Sequence, residues 1–212
     1  MGEARYRLED REMALDFLRR TERDRQVYGD RVPPNQRVTE GWPVLTYGAT
    51  PRIDLPEWKF VVAGAVEEER SFTWEEFNAL PQAAARSDIH CVTGWSKLDN
   101  EWRGVPFREL LDRVRPKPEA RHVMVHSYGG YTTNVPLADL MQDGVLFAHT
   151  HNDQPLAPEH GGPLRLVIPH LYFWKSAKWV RGLLFTVEER PGFWEMYGYH
   201  IRGDPWKEER YA

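Results

Sequence analysis

The sequence of 212 residues contains a single cysteine, Cys91. One thiol excludes an internal disulfide and any zinc or iron–sulfur site that is built from several thiolates. No apolar run approaches the ~20 residues that a membrane-spanning helix needs. The segment from Met1 to Arg11 is charged where a signal peptide would be apolar. These absences predict a cytoplasmic chain without a membrane span, although an exported protein whose leader had been removed would show the same sequence.

An excess of positive charge is also missing. Lys and Arg number 28 against 32 Asp and Glu, so the formal net charge is −4. The basic residues are scattered along the chain, which excludes nucleic acid as a main partner. Tryptophan is the residue type present in excess, with nine copies. We expect most of them in an aromatic-rich core, where a buried indole needs a partner for its N–H group.

Local patterns predict one mixed domain without internal repeats. Residues 8–25 favour a charged helix, and the prolines of residues 32–56 exclude regular helix there. Thr73 to Glu76 has the form of a capping box that opens a short helix through Leu80, and Pro106 opens another helix. The predicted strands are 58–62, 89–92, 123–127, 145–149, 164–168 and 183–187. The pattern lacks βαβ repetition, which predicts an α+β fold.

Two segments carry residues that are suited to chemistry at the ends of predicted strands. Cys91 precedes a loop with Gly94, which would expose the sulfur, although a lone buried cysteine is by default a small hydrophobic residue. Residues 159–165 contain two glycines that permit close approach to a ligand. His160 and Arg165 flank them with donors for an anion. A hairpin-like turn with solvated polar ends would give the same pattern.

A third segment, residues 174–179, has two lysines and a serine between two tryptophans. Such a basic loop with aromatic walls could bind a phosphate through lysine and backbone N–H groups. An exposed strand edge that is protected by lysines would have the same composition. The residue types alone leave both interpretations open.

Taken in order, the three segments resemble the molybdopterin domain of the sulfite oxidase family. Cys91 begins a Cys-Val-x-x-Trp-Ser setting that is similar to the family's bacterial methionine sulfoxide reductase branch. Residues 160–165 resemble the His-Gly-x-Pro-Val-Arg motif of sulfite oxidases, and residues 176–179 resemble their Ser-Val-Lys-Trp motif. Residues 152–156 also match the run that precedes the His-Gly motif. The likeness spans about residues 33–190.

The resemblance implies a sulfite oxidase-like molybdopterin-domain fold and an oxidoreductase activity. The reaction would be oxygen-atom transfer to or from a small sulfur-containing or oxyanion substrate. Cys91 would be a catalytic residue and the protein ligand to molybdenum. The cofactor would be Mo-molybdopterin, and the residues predicted to bind it are Gln36, Thr39, Ser127, His160, Arg165, Ser176, Ala177 and Lys178.

The sequence departs from sulfite oxidases close to the expected metal. Trp95, Ser96 and Lys97 follow Cys91 where sulfite oxidases place arginines, which argues against a sulfite-binding pocket of that form. His149 aligns with a tyrosine that lies near the metal in sulfite oxidases. We predict His149 as a second catalytic residue that donates a hydrogen bond or shuttles a proton. A strand histidine paired to the backbone is the alternative interpretation.

The same likeness predicts three parts of the chain. Residues 1–32 would form a charged helical extension, residues 33–190 the molybdopterin-binding domain, and residues 191–212 an aromatic-rich tail that packs on the domain. Because the likeness includes no haem domain, electrons would pass to or from a separate partner, a haem or flavin protein.

Two other functions are compatible with parts of the pattern. The first is a metal-independent cysteine hydrolase in which Cys91 acts with His90 or His149 as its base. The second is a cofactor-free binding module that keeps the fold. Turnover without any metal would identify the hydrolase.

Overall fold

The structure is a computed structural model that describes residues 2–212, with side chains from residue 12 onward. Met1, where the predicted extension begins, lies outside the described residues. The helices are α1 (Gly2–Tyr28), α2 (Trp74–Asn78), α3 (Arg108–Val114), α4 (Leu137–Leu140) and α5 (Phe193–Met196). The strands are β1 (Arg37–Val38), β2 (Lys59–Gly64), β3 (Arg70–Thr73), β4 (Ala83–Cys91), β5 (Trp95–Pro106), β6 (His122–Ser127), β7 (Thr132–Pro136), β8 (Leu146–His151), β9 (Gln154–Pro155), β10 (Arg165–Val167) and β11 (Val180–Thr186).

The strands form two mixed sheets. In the first sheet, β5 pairs with β1 in parallel and with β4 and β8 antiparallel, and β8 also pairs with β9 and β10. The second sheet has the order β3-β2-β11-β6-β7, in which only β2 and β11 run parallel. Most neighbouring strands run antiparallel, and the strands of each parallel pair, β1 with β5 and β2 with β11, are far apart in the chain. The predicted α+β class is therefore confirmed.

Aromatic side chains from both sheets form the larger apolar core. Phe60 of β2 meets Phe147 of β8 edge to face, with ring centroids 5.2 Å apart, and Phe77 of α2 lies 4.8 Å from Phe60. All three are fully buried. Burying each ring contributes about 1.5–3 kcal/mol, and each aromatic pair adds about 0.5–1.5 kcal/mol. This core joins the two sheets and so fixes the positions of their strands relative to one another.

The short helices lie within two residues of their predicted bounds, whereas the first strand of the central hairpin is longer than predicted. Thr73 caps α2 as expected, because its hydroxyl accepts from Glu76 N at 3.2 Å and Glu76 accepts from Thr73 N at 2.8 Å. The helix ends at Asn78 rather than Leu80. The strand predicted at 89–92 begins at Ala83, because the first half of β4 is partly exposed and rich in alanine, a residue with low strand propensity.

The N-terminal helix contacts the hairpin that carries Cys91. Helix α1 is longer than the predicted 8–25 and reaches Tyr28. Val38 N of β1 donates to Asp24 at 2.8 Å, and the Phe17 ring lies where a side chain on Gly94 would meet it. None of the described helices combines the length and the apolar character needed to cross a bilayer.

Residues 191–212 are joined to the domain by a buried ion pair. Lys175 Nζ lies 2.7 Å from Glu195 Oε1 of α5, and both side chains are at most 1% exposed. Lys175 also donates to the backbone oxygens of Asn134 and Ile201. The Glu195 carboxylate accepts from the hydroxyl of Thr133 at 3.0 Å. Because each charge is held by several partners, removal of one of them leaves a costly buried charge.

We therefore expect Lys175→Met to lower the free energy of unfolding by about 3–5 kcal/mol, since Glu195 would stay buried without its cation. The matched control is Arg20→Ala, which breaks an exposed ion pair with Asp16 on α1 and should cost less than about 1 kcal/mol. Urea unfolding of the three proteins measures the difference. Equal midpoints for the two variants would contradict a stabilising role for the buried pair.

Candidate active site

Six of the predicted site residues line one cavity of about 420 Å³. They come from the end of β4, from the loop before β10 together with the first residue of β10, and from the loop before β11. The six residues are Cys91, His160, Arg165, Ser176, Ala177 and Lys178. Most of the remaining wall is aromatic and includes Trp42, Trp95, Tyr131, Phe173, Trp174, Trp179, Phe193, Trp194 and Tyr199. The thiol and the cations from three distant segments therefore face a common space.

The hairpin between β4 and β5 presents Cys91 to this cavity. Cys91 pairs with Trp95 across the turn, and Gly94 N donates to Cys91 O at 3.0 Å. Gly94 has φ +93°, which a residue with a side chain adopts only under strain. Cys91 Sγ lies 3.2 Å from the Thr93 hydroxyl. Burial raises the pKa of the Cys91 thiol, so the sulfur becomes a thiolate at neutral pH only beside a cation.

Gln36 and Thr39 lie behind the hairpin rather than on the cavity wall. Gln36 is fully buried and donates from Nε2 to Cys91 O at 3.1 Å. Thr39 N donates to Ser96 O at 2.9 Å. The Ser96 hydroxyl on β5 lies 2.8 Å from Nδ1 of the buried His90 on β4, so this side-chain hydrogen bond joins the two strands of the hairpin. These residues hold the strand end that carries the sulfur.

Arg165 is a buried cation without an acidic partner. Its side chain is 2% exposed and donates to His160 O at 2.6 Å and to Ser176 O at 2.8 Å. The guanidinium lies 4.0 Å from the centroid of the Phe173 ring. Desolvation lowers the pKa of Arg165 to about 9. No carboxylate among the described side chains forms a salt bridge with it, which is unusual for a buried charge.

Lys178 adds to this positive region, and the neutral ring of His160 lies beside it. Lys178 Nζ donates to Leu45 O at 3.0 Å and to Glu159 O at 2.9 Å. Desolvation and, to a smaller extent, the nearby charge of Arg165 lower the pKa of Lys178 to about 8. The His160 ring stacks on Trp42 with centroids 3.8 Å apart, and burial lowers its pKa. A group of basic side chains held without a counter-charge is suited to an anionic ligand.

The two glycines after His160 are required by contacts within the chain. A Cβ on Gly161 would lie 3.0 Å from side-chain carbons of Arg165 and Lys178, and φ at Gly161 is +110°. A Cβ on Gly162 would lie 2.1 Å from Leu156 O. The predicted close approach of the backbone is therefore to the protein's own residues. It brings the two basic side chains onto one wall.

Ser127 and His149 lie outside the wall of this cavity. The Ser127 hydroxyl is buried without a hydrogen-bond partner in the described part of the chain. It lines a neighbouring cavity that shares residues 129–131 with the first. His149 binds Thr150 Oγ1 through Nδ1 and Gln82 Oε1 through Nε2, both at 2.8 Å. Both ring nitrogens of His149 are thus occupied by side chains, not by the backbone.

The basic loop at residues 174–179 divides between two environments. Lys178 faces the cavity, while Lys175 is buried in its pair with Glu195. Both interpretations of Lys175, as a phosphate ligand and as an exposed edge lysine, are wrong because this side chain is fully buried against the tail. The expected aromatic walls Trp174 and Trp179 do line the cavity.

Sequence reasoning missed the part of the wall that the tail supplies, including Trp194 and Tyr199. The aromatic density of residues 193–199 was the only signal in the sequence. Among the described residues, no three His, Cys, Asp or Glu side chains cluster to hold a metal. A metal in this cavity would therefore have Cys91 as its one thiolate donor from the described residues, and its other ligands would have to come from elsewhere.

A family model described as "Oxidoreductase molybdopterin binding domain" matches residues 47–194. Among curated proteins, "Uncharacterized oxidoreductase YuiH" of Bacillus subtilis is 50% identical, over 86% of this chain and 92% of that protein. The "Protein-methionine-sulfoxide reductase catalytic subunit MsrP" of Ralstonia nicotianae is 25% identical, over 70% of this chain and 51% of that protein.

Among solved structures, the sulfane dehydrogenase SoxCD from Paracoccus pantotrophus superposes with a TM-score of 0.60. The match has 23% sequence identity and covers 66% of this chain and 40% of the SoxCD chain. At this identity the likeness concerns the fold alone.

We expect inorganic phosphate to raise the thermal unfolding midpoint of protein freed of small molecules, because an anion beside Arg165 and Lys178 binds only the folded state. Lys178→Met should lose most of this increase. Lys59→Met, which changes an exposed lysine on β2, should keep it. Differential scanning calorimetry at constant ionic strength measures the response. The same phosphate response in both variants would argue against an anion site at Lys178.

Proposed function

The chain belongs to the family of oxidoreductase molybdopterin-binding domains, and on that premise we propose that it transfers an oxygen atom between a small substrate and a molybdenum atom bound by Cys91. The family, the oxidoreductase class and the Mo-molybdopterin cofactor expected from three sequence motifs are confirmed. One observation carries the finer proposal: the Cys91 thiol lines the same cavity as Arg165 and Lys178, two cations without acidic partners.

The polar residues of the cavity wall suit both the molybdenum end and the phosphate end of the cofactor. Arg165 and Lys178 would hold the phosphate of the pterin, since both are desolvated cations that an anion would stabilise. His160 would contribute a ring nitrogen beside them. Ser176 shapes the loop, because its hydroxyl accepts from Ile168 N at 2.9 Å and its carbonyl accepts from Arg165. Ala177 adjoins Lys178 and offers a small side chain at the wall.

Other predicted residues would act from outside the cavity wall. Gln36 and Thr39 would set the position of Cys91 through the hairpin backbone. Ser127 would offer its unpartnered hydroxyl from the neighbouring cavity. His149 would act only after one of its two side-chain hydrogen bonds opens. We therefore rank His149 below Cys91 as a catalytic residue.

When bound, the molybdenum supplies a two-electron oxygen-atom transfer, which for a sulfoxide reads R₂SO + 2 H⁺ + 2 e⁻ → R₂S + H₂O. The protein supplies the thiolate of Cys91, whose sulfur a metal would keep deprotonated despite its burial. Thr93 would donate a hydrogen bond to that sulfur and tune it. The aromatic wall excludes water from the sulfur, which is part of a residue only 8% exposed.

The charge distribution supports an uncharged substrate rather than sulfite. The basic residues of the cavity wall in the described part of the chain are His160, Arg165 and Lys178, which the proposal assigns to the pterin. Lys97, which follows Cys91, is not on the wall and donates to Asn100 Oδ1 at 2.8 Å. A sulfoxide needs an aromatic pocket and one hydrogen-bond donor, whereas a sulfite dianion needs free cations. The name of the R. nicotianae relative agrees with this substrate class.

A separate haem or flavin protein would exchange electrons with the site. Across the described residues, no group of three or more His, Cys, Asp or Glu side chains is placed to hold a metal. We propose that the two electrons of each turnover come from, or pass to, another carrier.

The structure does not support the cysteine hydrolase. A base must contact the thiol, yet the hydrogen bond of Cys91 Sγ is to Thr93. His90 Nδ1 binds Ser96 behind the hairpin, and His149 binds Gln82 and Thr150. A cofactor-free binding module would have no use for the buried guanidinium of Arg165, which has no acidic partner and costs stability.

We expect protein produced with molybdate to contain about one molybdenum and one pterin per chain, the arrangement that cofactors of this kind require. Cys91→Ser should abolish reduction of dimethyl sulfoxide by reduced viologen and keep most of the pterin, because the pterin is bound by other residues. Lys178→Met should instead lower pterin and molybdenum together. Elemental analysis, pterin fluorescence after oxidation and the viologen assay measure these outcomes.

Sulfite oxidation by ferricyanide serves as the comparison reaction and should be slower than sulfoxide reduction. Wild-type rates of sulfoxide reduction by Cys91→Ser, or by protein without metal, would contradict the proposal.

A further inference from the structure

The C-terminal tail supplies a tyrosine to the cavity from beyond the family match, which ends at residue 194. Tyr199 lies on the wall of the same cavity as Cys91. The family pattern therefore assigns Tyr199 no role. Whether Tyr199 can act on a ligand in the cavity depends on how firmly the tail is held and on what the Tyr199 hydroxyl contacts.

The tail is held at several points on either side of Tyr199. Glu195 is buried against Lys175 at 2.7 Å. Arg202 donates to both carboxylate oxygens of Asp139, at 2.9 and 3.0 Å, and Tyr172 N donates to Gly203 O at 2.7 Å. Because these contacts are buried or partly buried, they fix the path of residues 195–203 against the domain.

The Tyr199 ring is fixed by aromatic neighbours while its hydroxyl is free. The ring stacks on Trp194 at 5.1 Å and meets Trp174 and Tyr211 edge to face, both at 5.4 Å. No hydrogen bond joins its hydroxyl to another described residue. The other buried tyrosine on this wall, Tyr131, differs because its hydroxyl donates to Trp174 O at 2.6 Å. Tyr199 is thus a rigid ring with an uncommitted donor.

Tyr199 and Cys91 lie on the wall of the same cavity. Burial raises the pKa of Tyr199 above its usual value. The phenol therefore stays protonated at neutral pH and remains a hydrogen-bond donor on the cavity wall. Trp174 and Trp194 line the cavity on either side of the ring, so their faces can accept apolar substituents.

We propose that Tyr199 contacts the substrate and donates a hydrogen bond from its hydroxyl to the oxygen of an uncharged sulfoxide bound beside Cys91. Trp174 and Trp194 form the walls for the carbon substituents of that substrate. The tail is then part of the active site and a determinant of specificity. This inference rests on the proposed function, because it takes the sulfoxide substrate from there.

The test compares Tyr199→Phe, which keeps the ring and removes the hydroxyl, with Tyr211→Phe. Tyr211 also contacts the Tyr199 ring but is 64% exposed and is not part of the wall. For cofactor-loaded protein we expect Tyr199→Phe to lower kcat/KM for dimethyl sulfoxide about ten-fold, the size of one lost hydrogen bond. The dissociation constant of dimethyl sulfoxide should also rise, because the hydrogen bond to the substrate is lost. Tryptophan fluorescence measures it, since Trp174 and Trp194 lie on the cavity wall. Molybdenum content, pterin content and the thermal midpoint should stay unchanged.

Tyr211→Phe should stay within about two-fold of wild type in every measurement, since it removes no substrate contact. If Tyr199→Phe also stays within that range, the role of Tyr199 is wrong while the proposed function stands. Wild-type protein that lacks molybdenum and pterin overturns both. A loaded wild type that neither binds nor reduces sulfoxides overturns the substrate class and the role of Tyr199 with it.

Discussion

A buried guanidinium without an acidic partner is the constraint on which the site depends. Arg165 donates to the carbonyls of His160 and Ser176, so one side chain ties together the two loops that precede β10 and β11. Its pKa is lowered to about 9 by desolvation alone. Burying such a charge is costly unless a counter-ion arrives. We propose that the anionic cofactor supplies this counter-ion, and Lys178 lies on the same cavity wall.

A different set of contacts positions the Cys91 thiol. Cys91 ends a nine-residue strand and faces the cavity because Gly94 closes the hairpin directly after it. Gln36 secures the Cys91 carbonyl from behind, and Phe17 of α1 packs on the turn. Sulfur and cations thus come from separate elements, which the shared core fixes relative to one another.

The α+β class and the residues of three motifs were predictable, because each motif keeps its chemistry within a few consecutive positions. Side-chain direction was not predictable. Lys175 and Lys178 stand three residues apart in one loop, yet one is buried against Glu195 and the other faces the cavity. The register of β5 on β8 shifts between Arg103 and Gly104, so that His149 of β8 has no partner on β5. The alternation of side chains along a regular strand therefore could not predict which way His149 points. Tyr199 reaches the wall through tertiary contacts of the tail, which no local pattern encodes.

The most direct test of the central claim is X-ray absorption spectroscopy at the molybdenum edge on wild-type protein and on Cys91→Ser. If Cys91 binds the metal, the wild-type spectrum will contain one sulfur ligand more than that of the variant, and an oxygen scatterer will take its place. Identical sulfur coordination in the two proteins would contradict the account, because the cavity would then hold the cofactor without the thiol.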